Sequence, residues 1–344
     1  MTKQQLLSDF PTFRFIDEMT PDALSAYLRG RRLPELDGVK VESSSPLGDG
    51  NMNTTRLLKT NLGALVLKQS VPWVAKYPSI AAPWDRSIRE ASFYQTVESI
   101  DAVSSRMPTL LDVDLANRAL LFSFEPNTRD CSVVYANPKA LTNEHATAAA
   151  QWLLALHSAE IDLSKSPNIT NRDMRALNHE HIFDFPFRKH NGLDLDAMTP
   201  GLQQAAEELL ADGALANKAR ALGETYYLTD GHTLIHGDFF PGSWLQRGSE
   251  IIVIDPEFAF TGHSIFDVSV AMAHFKMAGC SSDIAETFLS IYQSKIPVDE
   301  TLLKALSGIE ILRRILGVAQ LPLTARIAEK VRWIEEARAN VLSV

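Results

Sequence analysis

Two short apolar runs each end in an aspartate: Leu234-Ile-His-Gly-Asp238 and Ile251-Ile-Val-Ile-Asp255. A reverse turn at Gln246 to Glu250 would fold the chain back between them. Both carboxylates are then expected to emerge on the same side of a small sheet, at the floor of one cleft. One can orient an attacking hydroxyl and accept its proton, while the other holds Mg²⁺ against phosphates, which is the arrangement phosphoryl transfer needs. The alternative is a pair of solvated carboxylates at strand ends. An isolated aspartate would carry no more than that, but the combined pattern favours chemistry.

A phosphate-binding counterpart lies earlier in the chain. Leu47-Gly48-Asp49-Gly50-Asn51-Met52-Asn53 can form a tight turn whose backbone N–H groups approach phosphate oxygens, with glycine permitting positive φ and close contact. Alone this pattern describes an ordinary turn, and its position shortly before the strand-like Leu65-Val-Leu-Lys68-Gln69 gives it weight. An unpaired ammonium in so apolar a strand is costly. Ion pairing with phosphates and with a helix-borne carboxylate accounts for Lys68, and Glu90 is suitably placed. An exposed strand face is the alternative.

Near the C-terminus, Glu310-Ile-Leu-Arg313-Arg314 puts one arginine where it does not belong by solvation. Arg313 falls within the apolar stripe of Leu306, Ile309 and Leu316, so its guanidinium requires an anionic or hydrogen-bonding partner. Arg314, one turn after Glu310, is also spaced for a helical surface pair. Other candidates read as structure: His157 as a core histidine on an apolar helix, Trp73 and Trp84 as a packed loop, Arg188-Lys189-His190 as solvated surface.

These residues need elements to hold them. The turn signal Asn61-Leu-Gly63 introduces the strand ending in Gln69, and Pro83 with Asp85 starts a helix over Arg86 to Val97 that carries Glu90. Ala119 to Phe124 reads as a strand stopped at Glu125-Pro126, where the lobe boundary is placed. Residues 1–124 then form a strand-rich nucleotide-binding lobe, and 125–344 a helix-rich lobe for catalysis and substrate. The second lobe opens with a helix over Asn143 to Ser158, and Leu302 to Leu316 keeps helical spacing. The fold class is α+β with two lobes joined by a short hinge.

Composition sets the outer limits. A chain of 344 residues favours two lobes over one core. With 42 acidic against 33 basic residues, the net charge of −9 disfavours nucleic acid and anionic membrane and points to a small ligand. Cys131 and Cys280 support neither a disulfide framework nor a zinc site. No signal-like start and no apolar run of membrane length is present, so a cytoplasmic enzyme is expected.

His236-Gly-Asp238, followed by Ser243, resembles the catalytic loop of the aminoglycoside phosphotransferase/choline kinase superfamily, whose fold is protein-kinase-like. Asp255-Pro-Glu257-Phe-Ala-Phe260 looks like the Asp-x-Glu metal motif of its methylthioribose kinase branch. Leu67-Lys-Gln-Ser-Val-Pro72, Asp85-Arg-Ser-Ile-Arg-Glu90 and the paired arginines are also similar to that branch. The resemblance runs from about residue 40 to 320 and implies ATP and Mg²⁺. Asp238 would be the base, Asp255, Glu257 and Ser243 metal ligands, Arg313 and Arg314 substrate contacts, and the backbone near Ser123 to Glu125 the adenine edge. It implies transfer to a sugar hydroxyl, 5-methylthioribose first, and a homodimer. An aminoglycoside- or choline-type phosphotransferase and a nucleotide-binding pseudokinase are the alternatives; cationic acceptors would be repelled by Arg313 and Arg314. Phe239 and Phe240 replace the superfamily's Leu-His, and Thr261-Gly-His263 replaces aromatic-Gly-Pro. Both departures are expected on the acceptor side.

Overall fold

The computed structural model describes residues 1–48, 50, 52–162, 167–321 and 323–344, without the side chains of residues 167, 168 and 208. Asp49 and Asn51, two of the expected phosphate-binding positions, lie outside the described residues. The chain forms two compact units, Met1–Asn127 and Thr128–Val344. The change of unit therefore comes just after the Glu125-Pro126 break.

In the first unit, helix α1 (Pro21–Gly30) precedes strands β1 (Val41–Pro46), β2 (Thr54–Thr60) and β3 (Gly63–Gln69). A small hairpin of β4 (Trp73–Val74) and β5 (Tyr77–Ala81) leads into helix α2 (Arg86–Val97), then strands β6 (Leu110–Asp114) and β7 (Ala119–Ser123). The five long strands form one antiparallel sheet in the order β1-β2-β3-β7-β6. Leu58, Leu67 and Leu121 from its three middle strands pack with Leu24 and Leu28 of α1. Burying each such leucine contributes about 2 kcal/mol. Because side chains alternate along a strand, Leu67 on that core face sends its neighbour Lys68 to the opposite face.

The second unit begins with strand β8 (Arg129–Asp130) and helix α3 (Asn143–His157), whose start is closed by a capping box between Thr142 and His145. Four short strands follow: β9 (Thr233–Ile235), β10 (Trp244–Arg247), β11 (Glu250–Val253) and β12 (Phe260–Gly262). Helices α4 (Ile265–Met277), α5 (Ser282–Gln293), α6 (Glu300–Leu316) and α7 (Ile327–Leu342) come after these strands. The apolar stripe Leu302, Leu306, Ile309, Leu312 and Leu316 is buried, and α6 packs against α4 and α7.

The reverse turn before Glu250 is present, with Gly248 at φ +61°. One expectation about it needs correction. The runs that deliver Asp238 and Asp255 are not neighbours in one sheet: β9 pairs with β12, while β11 pairs with β10, which also pairs with β8. The cause is the segment between them. Pro241 opens a short 3-10 turn, Pro241–Ser243, and the chain restarts as a separate hairpin.

Candidate active site

In the Met1–Asn127 unit, Lys68 is buried and its Nζ lies 2.9 and 2.8 Å from Oε1 and Oε2 of Glu90. The ammonium is ion-paired inside the unit, not laid on an exposed face. A residue missed from sequence holds the neighbouring turn. Arg86, fully buried at the start of α2, donates to Oδ1 of Asn53 at 2.7 Å and to the carbonyls of Met52, Val71 and Pro83 at 2.6, 2.6 and 2.9 Å. It ties the exit of the glycine-rich turn to the helix that carries Glu90. Gly48 sits at φ +72°, a conformation that favours glycine. At the end of β7, the hydroxyl of Ser123 accepts from the Thr109 N–H at 2.8 Å and donates to Glu125 at 3.3 Å.

In the Thr128–Val344 unit, the His236-Gly237-Asp238 loop leaves β9 and is held from beneath by Asp267 of α4. That carboxylate is fully buried and accepts from the backbone N–H groups of His236 at 2.6 Å and Gly237 at 2.9 Å. His157 lies 3.2 Å from the same carboxylate and 2.7 Å from the hydroxyl of Tyr292, so it is the core histidine expected. The ring of His236 joins the two aspartate-bearing segments: Nε2 donates to the carbonyl of Ile254 at 3.0 Å and Nδ1 accepts from the Asp238 N–H at 3.3 Å. This is the pattern of the neutral Nε2–H tautomer. Burial lowers the pKa of His236 and keeps it neutral, against the pull of Asp267, Asp238 and Asp255. Ser243 closes the loop by donating to the carbonyl of Asp238 at 2.9 Å.

Asp255 follows β11 with φ +59° and ψ 50°, a left-handed conformation that aspartate tolerates better than most residues. Glu257 is buried on the short turn that follows, Pro256–Phe258, and its carbonyl accepts from Asn171 at 2.9 Å.

Asp238 keeps 13% of its side chain exposed, and its Oδ1 lies 3.0 Å from Arg314 Nη2 and 3.5 Å from Arg313 Nη1. Both arginines also bind Glu310: Arg313 Nη1 to Oε2 at 2.9 Å, Arg314 Nε to Oε1 at 2.6 Å. Glu310 is buried, so the surface pair allowed by the spacing is not what forms. Burial opposes its ionisation, but Arg313 and Arg314 outweigh that and hold its pKa well below the usual carboxylate range. Burial in turn lowers the pKa of Arg313, but Glu310 and Asp238 outweigh this and raise it overall. Two guanidiniums thus face two carboxylates, and the cluster carries no net charge. The sequence-based case that this pair repels cations assumed uncompensated arginines, and they are compensated.

The two phenylalanines have separate fates. Phe239 is fully buried, stacked on Trp152 at 5.5 Å and against Trp244 at 4.8 Å, so it belongs to the core and not to the acceptor side. Phe240 is partly exposed, with the Arg314 guanidinium 4.6 Å from its ring centre. Of the other departure, Thr261 and Gly262 are spent in β12, pairing with Leu234 and Thr233.

The sequence matches the description "Phosphotransferase enzyme family" over residues 43–293, most of both units. The chain belongs to the phosphotransferase enzyme family. Among relatives of this phosphotransferase, a methylthioribose kinase of Exiguobacterium sibiricum is 24% identical over 345 aligned residues, covering 88% of this chain and 87% of that protein. Methylthioribose kinases of Escherichia coli and Bacillus cereus are 24% and 26% identical; the alignments cover 76% and 69% of this chain but only 65% and 61% of those proteins. Among solved structures, spectinomycin phosphotransferase in complex with ADP and spectinomycin superposes with a TM-score of 0.61 at 12% identity, covering 95% of this chain and 98% of that one. The choline/ethanolamine kinase family protein from Mesorhizobium loti gives 0.53 at 15%, covering 94% and 95%. These likenesses establish the two-lobed, protein-kinase-like α+β fold. The protein is an ATP-dependent phosphotransferase. No described helix is long and apolar enough to cross a membrane.

The crowding around the loop of this phosphotransferase gives a first prediction. Gly237 has φ +83°, and a Cβ there would meet the Phe258 carbonyl oxygen at 2.3 Å. Gly237→Ala is expected to destabilise by about 2–4 kcal/mol, combining left-handed strain with a backbone clash. A melting temperature within a degree of wild type would show that the loop has room to spare.

Proposed function

We propose that this protein is a kinase that transfers the γ-phosphate of ATP, as its Mg²⁺ complex, to a hydroxyl of a small neutral sugar, with 5-methylthioribose the first candidate. One observation carries this most directly. Asp238 has Oδ1 gripped by Arg314, while Oδ2 has no protein hydrogen bond among the described residues. A carboxylate with one oxygen fixed and the other available suits a base that must orient a hydroxyl and take its proton.

The other residues take roles consistent with that base. Lys68, oriented by Glu90, and the glycine-rich turn with Gly48, Gly50 and Asn53 would contact the phosphates, and the backbone from Ser123 to Glu125 would meet the adenine. Asp255 and Glu257 offer two hard carboxylate ligands on one short turn, and Ser243 is tied to the residue before them, its carbonyl accepting from the Ile254 N–H at 3.0 Å. No group of three or more His, Cys, Asp or Glu that could hold a metal occurs among the described residues. Two carboxylates nevertheless fit Mg²⁺, which takes only one or two when phosphates and waters supply the rest, and they do not fit zinc. When bound, Mg²⁺ would offset the charge of the phosphates.

The charge-balanced cluster of Asp238, Glu310, Arg313 and Arg314 supports a neutral acceptor. A polycation would need carboxylates in surplus, and an anion would need guanidiniums in surplus. Phe240 adds a partly exposed apolar surface beside Arg314. The kinship with methylthioribose kinases agrees with a neutral sugar.

ADP release with methylthioribose, choline and an aminoglycoside should be compared side by side. The expected result is a kcat/KM at least about 10²-fold higher for methylthioribose, the scale that unmatched polar groups impose. Turnover with the cationic acceptors alone would contradict the assignment.

A further inference from the structure

Behind the two arginines runs a buried chain that phosphoryl transfer itself does not require. The Tyr135 O–H donates to Nδ1 of His274, and Nε2 of His274 donates to Oε1 of Glu310 at 3.0 Å. Tyr135, His274 and Glu310 are all buried, and burial drives the pKa of His274 down to about 4, so the ring stays neutral at ordinary pH. Glu310 then divides two guanidiniums with Asp238. Arg314 is fixed in every direction, by Glu310, by Asp238, by the Ala319 carbonyl at 3.4 Å and by the ring of Phe240. Arg313 Nη1 is 2.9 Å from Glu310 Oε2 and 3.5 Å from Asp238 Oδ1. Its shorter contact is to Glu310, and it meets the base only at Oδ1, at the long limit of a hydrogen bond.

We propose that Glu310, oriented through His274 by Tyr135, is a positioning residue that holds Arg313 at the Oδ1 edge of Asp238 and so leaves Oδ2 open to the acceptor hydroxyl. Removing the Glu310 charge would leave Asp238 as the only carboxylate in contact with both arginines among the described residues. Two guanidiniums on one carboxylate would close both of its oxygens. The inference rests on Asp238 being the base.

The test compares Glu310→Gln, Glu310→Asp and Tyr135→Phe in the full-length protein, with ATP and the acceptor that turns over. Glu310→Gln is expected to lower kcat on the order of 10²-fold with KM for ATP within about two-fold of wild type, since the misplacement is at the base and not the nucleotide. A packing role would rank the isosteric Gln above Asp; charge positioning ranks Asp above Gln. Tyr135→Phe removes one hydrogen bond at the far end and is expected to lower kcat about three- to ten-fold, again without changing KM for ATP. It decides the matter where a Glu310 variant does not fold. Full kcat in Tyr135→Phe or in Glu310→Gln, or Gln outperforming Asp, would overturn the positioning role. If wild type itself transfers phosphate to no hydroxyl, or Asp238→Asn stays fully active, the kinase assignment fails first and takes this inference with it.

Discussion

Asp238→Asn is expected to bind ATP as wild type does and to lose phosphoryl transfer by about 10²–10⁴-fold, the range a positioned general base contributes. The substitution keeps size and shape. The amide oxygen can still accept from Arg314, so the loop should stay in place. What changes is the position now held by Oδ2: an amide nitrogen there is a donor and cannot take a proton from a hydroxyl. Binding should survive because the residues assigned to the phosphates, Lys68 with Glu90 and the turn anchored by Arg86, belong to the Met1–Asn127 unit. Calorimetric titration with a non-hydrolysable ATP analogue, beside steady-state kcat, separates the two effects. Unchanged kcat would remove Asp238 from the base role.

The second large effect is expected from a residue that touches no substrate. Asp267→Asn should destabilise the protein by about 2–4 kcal/mol and lower kcat more than ten-fold. Asp267 accepts the N–H groups of both His236 and Gly237, with His157 also in contact. An asparagine offers one acceptor oxygen where two were used, and its own N–H₂ would face a backbone donor. One buried N–H is then unsatisfied, and the segment that aims Asp238 loses a restraint. A thermal melt and kcat measured on the same preparation check both parts. A variant that melts with wild type and turns over normally would show that the loop is held without Asp267.

What the sequence revealed and what it hid follow from the range of the interactions. Strand β3 and helix α2 were legible almost to the residue, because Asn61-Leu-Gly63, Pro83 and Asp85 are strong local punctuation. Lys68 was legible because an ammonium in an apolar strand has few outcomes, and pairing with a helix carboxylate is one of them. The burial of Arg313 followed from helical spacing for the same reason.

The hidden parts depend on distant partners. Nothing in the run Leu234 to Ser243 says that β9 would choose β12 over β11, since three-residue strands carry little pairing information. Phe239 and Phe240 look alike as a pair, yet adjacent side chains diverge and only Phe240 reaches Arg314. Asp267 and His274 did leave a signal that was not read. Helix α4 is apolar nearly all round, and a charged or titratable residue inside such a helix needs a buried partner. Arg86 was visible in the same way, at the helix start, but its hydrogen bonds to four carbonyls and one asparagine fall on groups that no pattern marks.

The most direct test of the central claim is a ³¹P NMR record of the wild-type protein mixed with ATP, Mg²⁺ and 5-methylthioribose. The expected spectrum loses the γ-phosphate resonance of ATP and gains, in equal amount, those of ADP and a sugar phosphomonoester. ADP with inorganic phosphate and no phosphomonoester, or ATP left intact, would contradict it.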